Sequence, residues 1–336
     1  MKTIEKEVLD VSDSLEKAGV SFNGQRILVT GGAGFLGSWV CEVLVRQGAA
    51  VTCIDNLTSG QQENIEHLIR GDGFTYMNHD ITDPIYFDSK FDTVFHMASR
   101  ASPFEFAEHP IQILKANTLG IWVALGIAKE HGARFFYTST SEVYGNPDPR
   151  FVPTPESYFG NVNSVGPRGC YDEAKRAGEA FVTAYHTQHG LDTRMVRIFN
   201  TYGPRMRSDD IYGRVVPRFI DQALKNEPIT IFGDGSQTRS FTYIMDQVEG
   251  ILRLAGAEGL QNPVVNIGNN VEKSVLQLAE TIISLTDSKS KLSFHPLPID
   301  DPLRRSPDIS RAKELLGWEP KIGFEEGLKR FIEYMR

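Results

Sequence analysis

The sequence is short of cysteine and of positive charge, and it contains no long uninterrupted apolar run. Its three cysteines, Cys41, Cys53 and Cys170, are too few and too widely spaced for a disulfide framework or a cysteine-rich zinc site. They read as buried thiols in a reducing, cytoplasmic setting, and no metal site is expected. Thirty-five Lys and Arg against 43 Asp and Glu leave a net charge of −8, which disfavours non-specific binding to nucleic acid. A polyanionic ligand stays compatible with that balance if cations gather in one cleft. Nothing resembling a run of about 18 apolar residues is present to span a membrane. The opening MKTIEKEVLD carries acids where a signal peptide has basic residues and then an apolar core. A soluble intracellular chain is expected. Repeats and low-complexity segments are also missing. With 40% hydrophobic and 23% charged residues, the 336-residue chain has globular composition. It is long enough for one large α/β domain or two lobes sharing a core.

What is present is an alternation of strands and helices. Residues 1–23 are polar with scattered apolar positions and read as a short helix packed outside the main fold. Arg26 to Thr30 is a short apolar run ending in glycines, as a buried parallel strand should be. Leu36 to Arg46 has helical periodicity, stopped by Gln47-Gly48, and Ala50 to Asp55 is the next strand. Further strands are expected at Phe74 to Met77, Thr93 to His96, Arg134 to Thr138 and Thr193 to Arg197, with helices near Ile111 to Glu130 and Tyr171 to His189. This rhythm predicts an α/β fold with a doubly wound parallel sheet. Beyond Asn200 proline and glycine interrupt the pattern, so residues 24–200 read as one domain and 201–336 as a smaller lobe interleaved with it.

Between the first strand and first helix lies Thr30-Gly31-Gly32-Ala33-Gly34-Phe35-Leu36-Gly37. A glycine triplet alone signals little, but here it follows a strand and opens a helix, where bare backbone can approach a pyrophosphate. Eighteen residues past Gly37, Asp55 ends the second strand. An acid there suits ribose hydroxyls and repels a 2′-phosphate, so the expected cofactor is NAD rather than NADP. Further on, Tyr171-Asp172-Glu173-Ala174-Lys175 puts a phenol and an ammonium four residues apart on one helix face. A free tyrosine titrates near ~10, and lowering that by roughly 3 units needs about 4 kcal/mol. A nearby lysine and a positive nicotinamide ring could supply it. Upstream, Arg134 to Thr138 runs into Ser139-Thr140-Ser141-Glu142-Val143-Tyr144-Gly145, placing hydroxyls at the ligand end of a parallel strand. Ser139 reads as a turn residue.

The GxxGxxG spacing of Gly31, Gly34 and Gly37, with Asp80-Ile81 and His96-Met97-Ala98-Ser99, resembles the extended short-chain dehydrogenase/reductase family. The resemblance implies a Rossmann-type sheet with a C-terminal lobe for a nucleotide sugar. It assigns Gly31, Gly34, Phe35, Leu36 and Gly37 to the NAD turn, with Asp55 and Asn56 at the ribose. Asp80 and Ile81 flank the adenine, Met97, Ala98 and Ser99 run along the cofactor, and Asn117, Tyr171 and Lys175 complete that set. Tyr171 and Lys175 are then the catalytic pair, and Thr140, Ser141 and Glu142 surround the reacting sugar. Substrate contacts fall to Asn200, Arg205, Val216, Gln237 and Arg239, and Arg100, a cation where the family has none, is a further candidate for holding an anionic group. Two short motifs carry several of these, Gly213 to Pro217 opening a helix and Gly233 to Arg239 as a polar turn.

A narrower resemblance is to the UDP-glucuronate decarboxylase (UDP-xylose synthase) group. It covers nearly the whole chain from Arg26 onward. It rests on Thr138 to Gly145, on Gly160-Asn161-Val162-Asn163 leading into Cys170 to Glu173, and on Asp300 to Asp308 ahead of Leu316-Gly317-Trp318-Glu319-Pro320. By that resemblance Arg305 contacts the substrate. The implied reaction oxidises C4 of the sugar, loses CO₂ from the resulting β-keto acid and re-reduces C4. Two departures stand out: Arg100 replaces a proline of the usual loop, and Met206 to Tyr212 is lengthened. A UDP-sugar 4-epimerase and a nucleotide-sugar 4,6-dehydratase remain alternatives. Glu142 counts against the first, and Ser141, where the second carries Asp, counts against the other. A non-catalytic NAD-binding scaffold is a third class, with no use for Tyr171 and Lys175. The resemblance also implies a homodimer through the helices near Ile111 to Glu130 and Tyr171 to His189.

Overall fold

The computed structural model describes residues 2–207, 214–297 and 304–336. Gly213 of one motif, Asp300 to Leu303 of another and residues 208–212 of the lengthened loop lie outside the described residues.

Short apolar runs bounded by turn residues form β1 (Arg26–Thr30), β2 (Ala50–Asp55), β3 (Phe74–Asn78), β4 (Thr93–His96), β5 (Arg134–Thr140) and β6 (Thr193–Ile198). The later strands are shorter: β7 (Thr201–Tyr202), β8 (Ile229–Phe232), β9 (Thr238–Ser240), β10 (Thr242–Tyr243), β11 (Val264–Ile267), β12 (Glu272–Ser274), β13 (Leu292–His295) and β14 (Arg304–Arg305). Helices of the first half are α1 (Lys2–Lys17), α2 (Phe35–Arg46), α3 (Glu66–Ile69), α4 (Pro103–Glu108), α5 (Pro110–His131) and α6 (Gly169–His189). The second half adds α7 (Val215–Leu224), α8 (Ile244–Gly256), α9 (Val275–Thr286), α10 (Ser310–Leu316) and α11 (Phe324–Met335).

Seven strands make one parallel sheet in the order β11-β6-β5-β4-β1-β2-β3. Helices cover both of its faces, which is why strands such as β4 are buried along their whole length. Strand order reverses between β1 and β4, so the loops at their carboxyl ends part and leave a crevice. The seventh strand, β11, comes from the second half of the chain and pairs with β6. The remaining second-half strands build small sheets at the edge of that crevice, β12-β9-β14 and β13-β8 among them.

α5 and α6 pack against each other and against the sheet. α6 can approach β5 closely because position 178 is glycine: a Cβ there would sit 2.1 Å from the Tyr137 hydroxyl. The approach brings the start of α6, with Tyr171 and Lys175, to the end of β5. By length and composition alone α5 could cross a membrane, contrary to the reading that no segment qualifies. In this fold it is a sheet-covering helix, with Ile113, Ile121, Ala124 and Leu125 buried.

The N-terminal segment departs from its sequence reading. α1 is not outside the main fold but seated on α2 and α8. Val8, Val11 and Leu15, spaced on one helical stripe, enter the main core. Glu7 beside them accepts hydrogen bonds from Tyr243 Oη at 2.8 Å and Arg330 Nη1 at 3.1 Å. Cys41 and Cys53 are buried free thiols as expected, whereas Cys170 is only partly buried.

Candidate active site

The crevice widens into a cleft of about 750 Å³. At one end the glycine turn forms its floor. A Cβ on Gly31 would stand 2.6 Å from Ala98 Cα, and one on Gly37 would stand 2.1 Å from the Gly31 carbonyl oxygen. Only glycine lets the turn fold this tightly against the loop after β4. Gly34 caps α2 without any side-chain bond, so the first-turn amides at Phe35 and Leu36 face the cleft without a side-chain cap. Such a helix start is suited to a pyrophosphate.

Asp55 lies at the wall where β2 ends, held by the amides of Ala33 (3.0 Å) and Leu57 (2.9 Å). Burial raises its pKa against those two bonds. Asn56 donates to Asp80 Oδ2 at 2.9 Å, and Ile81 lines the same recess. Met97, Ala98 and Ser99 continue the wall toward the reacting end. These features fit a dinucleotide with free ribose hydroxyls.

The reacting end is built where β5, α6 and β14 converge. Thr140 and Ser141 line it, and the Thr140 hydroxyl hydrogen-bonds the Tyr171 phenol. Ser139 turns away to Glu179 at 2.6 Å, which accounts for its structural reading. Lys175 sits one turn behind Tyr171, its ammonium 5.9 Å from the tyrosine ring centre and donating to the Thr138 carbonyl at 2.9 Å. Burial lowers its pKa to about 7.

Lys175 without the positive nicotinamide ring, with which the sequence reading paired it, does not make Tyr171 acidic. Burial, with the charge of Glu142, drives the phenol's pKa far above its ordinary value, and the Thr140 bond offsets only part of this. The phenol therefore keeps its proton in the chain alone.

Glu142 is gripped from two sides, by Arg168 and by Arg305. Despite burial the two guanidinium groups hold its pKa down to about 2. Arg305 also donates to the Gly145 carbonyl at 3.2 Å. It reaches the site on β14, in register beside Arg239 of β9.

Arg168 was not among the residues singled out in the sequence, and neither was Phe106. The Phe106 ring stacks on Tyr171 with centroids 4.9 Å apart, and the Arg168 guanidinium stands 5.6 Å from the other ring centre of that layer, Phe106. Arg168 lies three residues before Tyr171, the one available sequence signal; nothing local announces Phe106.

At the far end Asn200, Val216, Gln237 and Arg239 line the cleft with Arg214, Arg218 and Phe232. Gly233 to Arg239 is not wholly a turn, since Thr238 and Arg239 belong to β9. Three arginines there suit a second diphosphate. Arg100 also lines the cleft, its Nε 3.7 Å from Glu105.

Two of the expected residues do not line the cleft. Arg205, read as a substrate ligand, is buried outside the cleft, over the Trp39 ring and paired with Glu42. Its backbone at φ 69° turns the side chain toward α2. Asn117, read as a cofactor residue, lies behind the wall and donates to the Ile113 carbonyl at 3.0 Å. Among the described residues no group of three or more His, Cys, Asp or Glu is arranged to hold a metal ion.

Residues 27–268 match the NAD dependent epimerase/dehydratase family. The chain is 48% identical to UDP-glucuronic acid decarboxylase 1 of Danio rerio, over 92% of this chain and 72% of that one. It is 46% identical to UDP-glucuronic acid decarboxylase 6 of Arabidopsis thaliana, over 94% and 90% respectively. Among solved structures it resembles the UDP-glucose 4-epimerase of Thermotoga maritima with UDP-glucose, at a TM-score of 0.84 and 33% identity, covering 92% of this chain and 98% of that one. The UDP-glucuronic acid 4-epimerase of Bacillus cereus with UDP-glucuronic acid and NAD has a TM-score of 0.81 and 27% identity, with the same coverage.

Proposed function

The chain belongs to the NAD dependent epimerase/dehydratase family, and we propose that it is an NAD-dependent UDP-glucuronate decarboxylase that forms UDP-xylose. The observation that carries this reading is Glu142 clamped by Arg168 and Arg305 beside Thr140, Ser141 and Tyr171. A 4,6-dehydratase needs an acid that can give its proton to a leaving C6 hydroxyl. Ser141 cannot do so, and Glu142 carries no proton to give.

The glycine turn, Phe35, Leu36 and Asp55 would hold NAD⁺, whose chemistry here is reversible acceptance of hydride from C4. Tyr171, its phenolate favoured by the positive nicotinamide ring, takes the C4 hydroxyl proton while Thr140 donates to it. The C4 ketone then stands β to the C6 carboxylate, and CO₂ departs as the ketone takes up the bonding electrons. Thr140, Ser141 and protonated Tyr171 donate to the enolate oxygen. One proton is added at C5, the hydride is returned to C4 and Tyr171 gives its proton back to the C4 oxygen, so the balance is one UDP-glucuronate and one proton to one UDP-xylose and one CO₂. Arg305 is already bonded to Glu142, which keeps it from anchoring the carboxylate that must leave.

The test is incubation of the protein with UDP-glucuronate and no added reductant, followed by mass spectrometry and proton NMR. Release of CO₂ with xylose-type ring couplings is the expected result. An unchanged mass with C4 inverted would replace this reading by a 4-epimerase.

A homodimer through α5 and α6 is proposed with it. It is supported by Ile111, Leu114, Leu119 and Trp122, large apolar side chains left exposed on α5. Trp122→Glu is expected to shift the sedimentation coefficient to that of a monomer, and an unshifted dimer would place the interface elsewhere. A cytoplasmic location is supported by three unpaired thiols.

A further inference from the structure

Asp172 follows the catalytic tyrosine, yet nothing in the reaction above uses it. It is buried, and its Oδ1 has no hydrogen-bond partner among the described residues. Its other oxygen faces Arg168 Nε at 3.7 Å. Arg168 lines the cleft and shares its charge between Asp172 and Glu142. The groups facing Asp172 are Glu142 from the turn after β5, Arg305 from β14, and Arg168, Cys170, Tyr171 and Glu173 of its own helix start.

Within this cluster two arginines meet one carboxylate, Glu142, that remains ionised throughout the neutral range. Glu173 is itself paired with Arg176 at 3.4 Å, so Arg168, Arg305, Glu142 and Asp172 decide the balance: one net positive charge when Asp172 is protonated and none when it is ionised. Burial, helped by the charge of Glu142, raises the Asp172 pKa to about 7, so the change falls near neutrality.

We propose that Asp172, acting through Arg168, sets the charge at the sugar end of the cleft and thereby makes the preference for an anionic hexuronate over a neutral hexose depend on pH. In its protonated form the site attracts a sugar carboxylate; in its ionised form the preference is cancelled. Asp172 is a positioning residue for charge, since it reaches the ligand only through Arg168. The inference rests on the proposed use of UDP-glucuronate. It deepens that reading by naming what distinguishes the acidic sugar from its neutral counterpart. The substrate carboxylate itself stays ionised across the range, as does the diphosphate, so neither supplies the pH dependence.

The experiment measures dissociation constants by calorimetry in the NAD-loaded Tyr171→Phe protein, where turnover is blocked. UDP-glucuronate and UDP-glucose share every group except the carboxylate. Their affinity ratio is expected to fall roughly tenfold in favour of UDP-glucose between about pH 6 and 8.5. In Tyr171→Phe/Asp172→Asn the ratio should stay at its low-pH value, although Lys175 still titrates there. A ratio independent of pH in the first protein, or equally dependent in both, would overturn the proposal. Arg168→Gln in the same background gives a second reading that does not depend on Asp172→Asn folding. It should weaken UDP-glucuronate roughly tenfold at about pH 6 and leave UDP-glucose unchanged. Equal weakening of both ligands would mean that Arg168 only maintains structure. Failure of the wild-type protein to release CO₂ would strike the decarboxylase reading and leave these binding ratios to be judged separately.

Discussion

Tyr171 and Glu142 carry opposite instructions from their surroundings. Burial holds the proton on Tyr171, while two arginines strip it from Glu142. Tyr171→Phe is expected to lower turnover by roughly 10²–10⁴-fold with NAD affinity retained, measured by product formation and by fluorescence titration of NADH. Glu142→Gln removes the charge that Arg168 and Arg305 enclose and leaves two cations facing the sugar carboxylate. Turnover should fall on the order of 10²-fold, and full activity in that variant would end the role given to Glu142. Tyr171 and Lys175 were legible from their spacing of four on one helix face, whereas Thr140 and Glu142 were singled out by the resemblance of the run Thr138 to Gly145. Arg168 was not, because its importance comes from meeting a carboxylate 26 residues earlier in the chain. Arg205 misled for the converse reason: it ends a recognisable run, yet its left-handed backbone sends the guanidinium to Trp39 and Glu42.

Strands and helices of the first two hundred residues fall within a few positions of their sequence expectations. Their apolar periodicity is a local property, and glycines such as Gly132 and Gly190 end α5 and α6 in the left-handed conformation. α1 shows the limit of that approach. Its Val8, Val11 and Leu15 stripe was visible, but what the stripe packs against is supplied by α8, more than two hundred residues away. Leu15 is fully buried, so Leu15→Ala should cost about 2–5 kcal/mol of stability, read from the urea midpoint. A cost below about 0.5 kcal/mol, as for a surface site, would mean that α1 does not share the core.

For the molecule as a whole, acid should loosen the fold through His96, at the central strand β4. His96 is fully buried, bonded to Thr30 Oγ1 at 2.9 Å, and burial, with the charge of Lys175, lowers its pKa to about 3. The unfolded chain takes up that proton near pH ~6.5. Stability from this group is therefore complete above about 6.5 and declines by about 1.4 kcal/mol per pH unit as the pH falls toward 3. His96→Asn should flatten that part of the acid limb in urea titrations between about pH 6.5 and 5; an identical slope would assign it to other groups. At the same scale lies the division between chain and fold. The order of strands and helices, the glycine turn and the Tyr171–Lys175 pair are set along the chain, because steric limits, apolar period and residue spacing act over a few residues. The four-membered cluster of Glu142, Arg168, Asp172 and Arg305, the stacking of Phe106 on Tyr171 and the seat of α1 arise only on folding. Each depends on side chains far apart in sequence being brought into a low-dielectric site, where contact and burial, rather than spacing, set their charge and orientation.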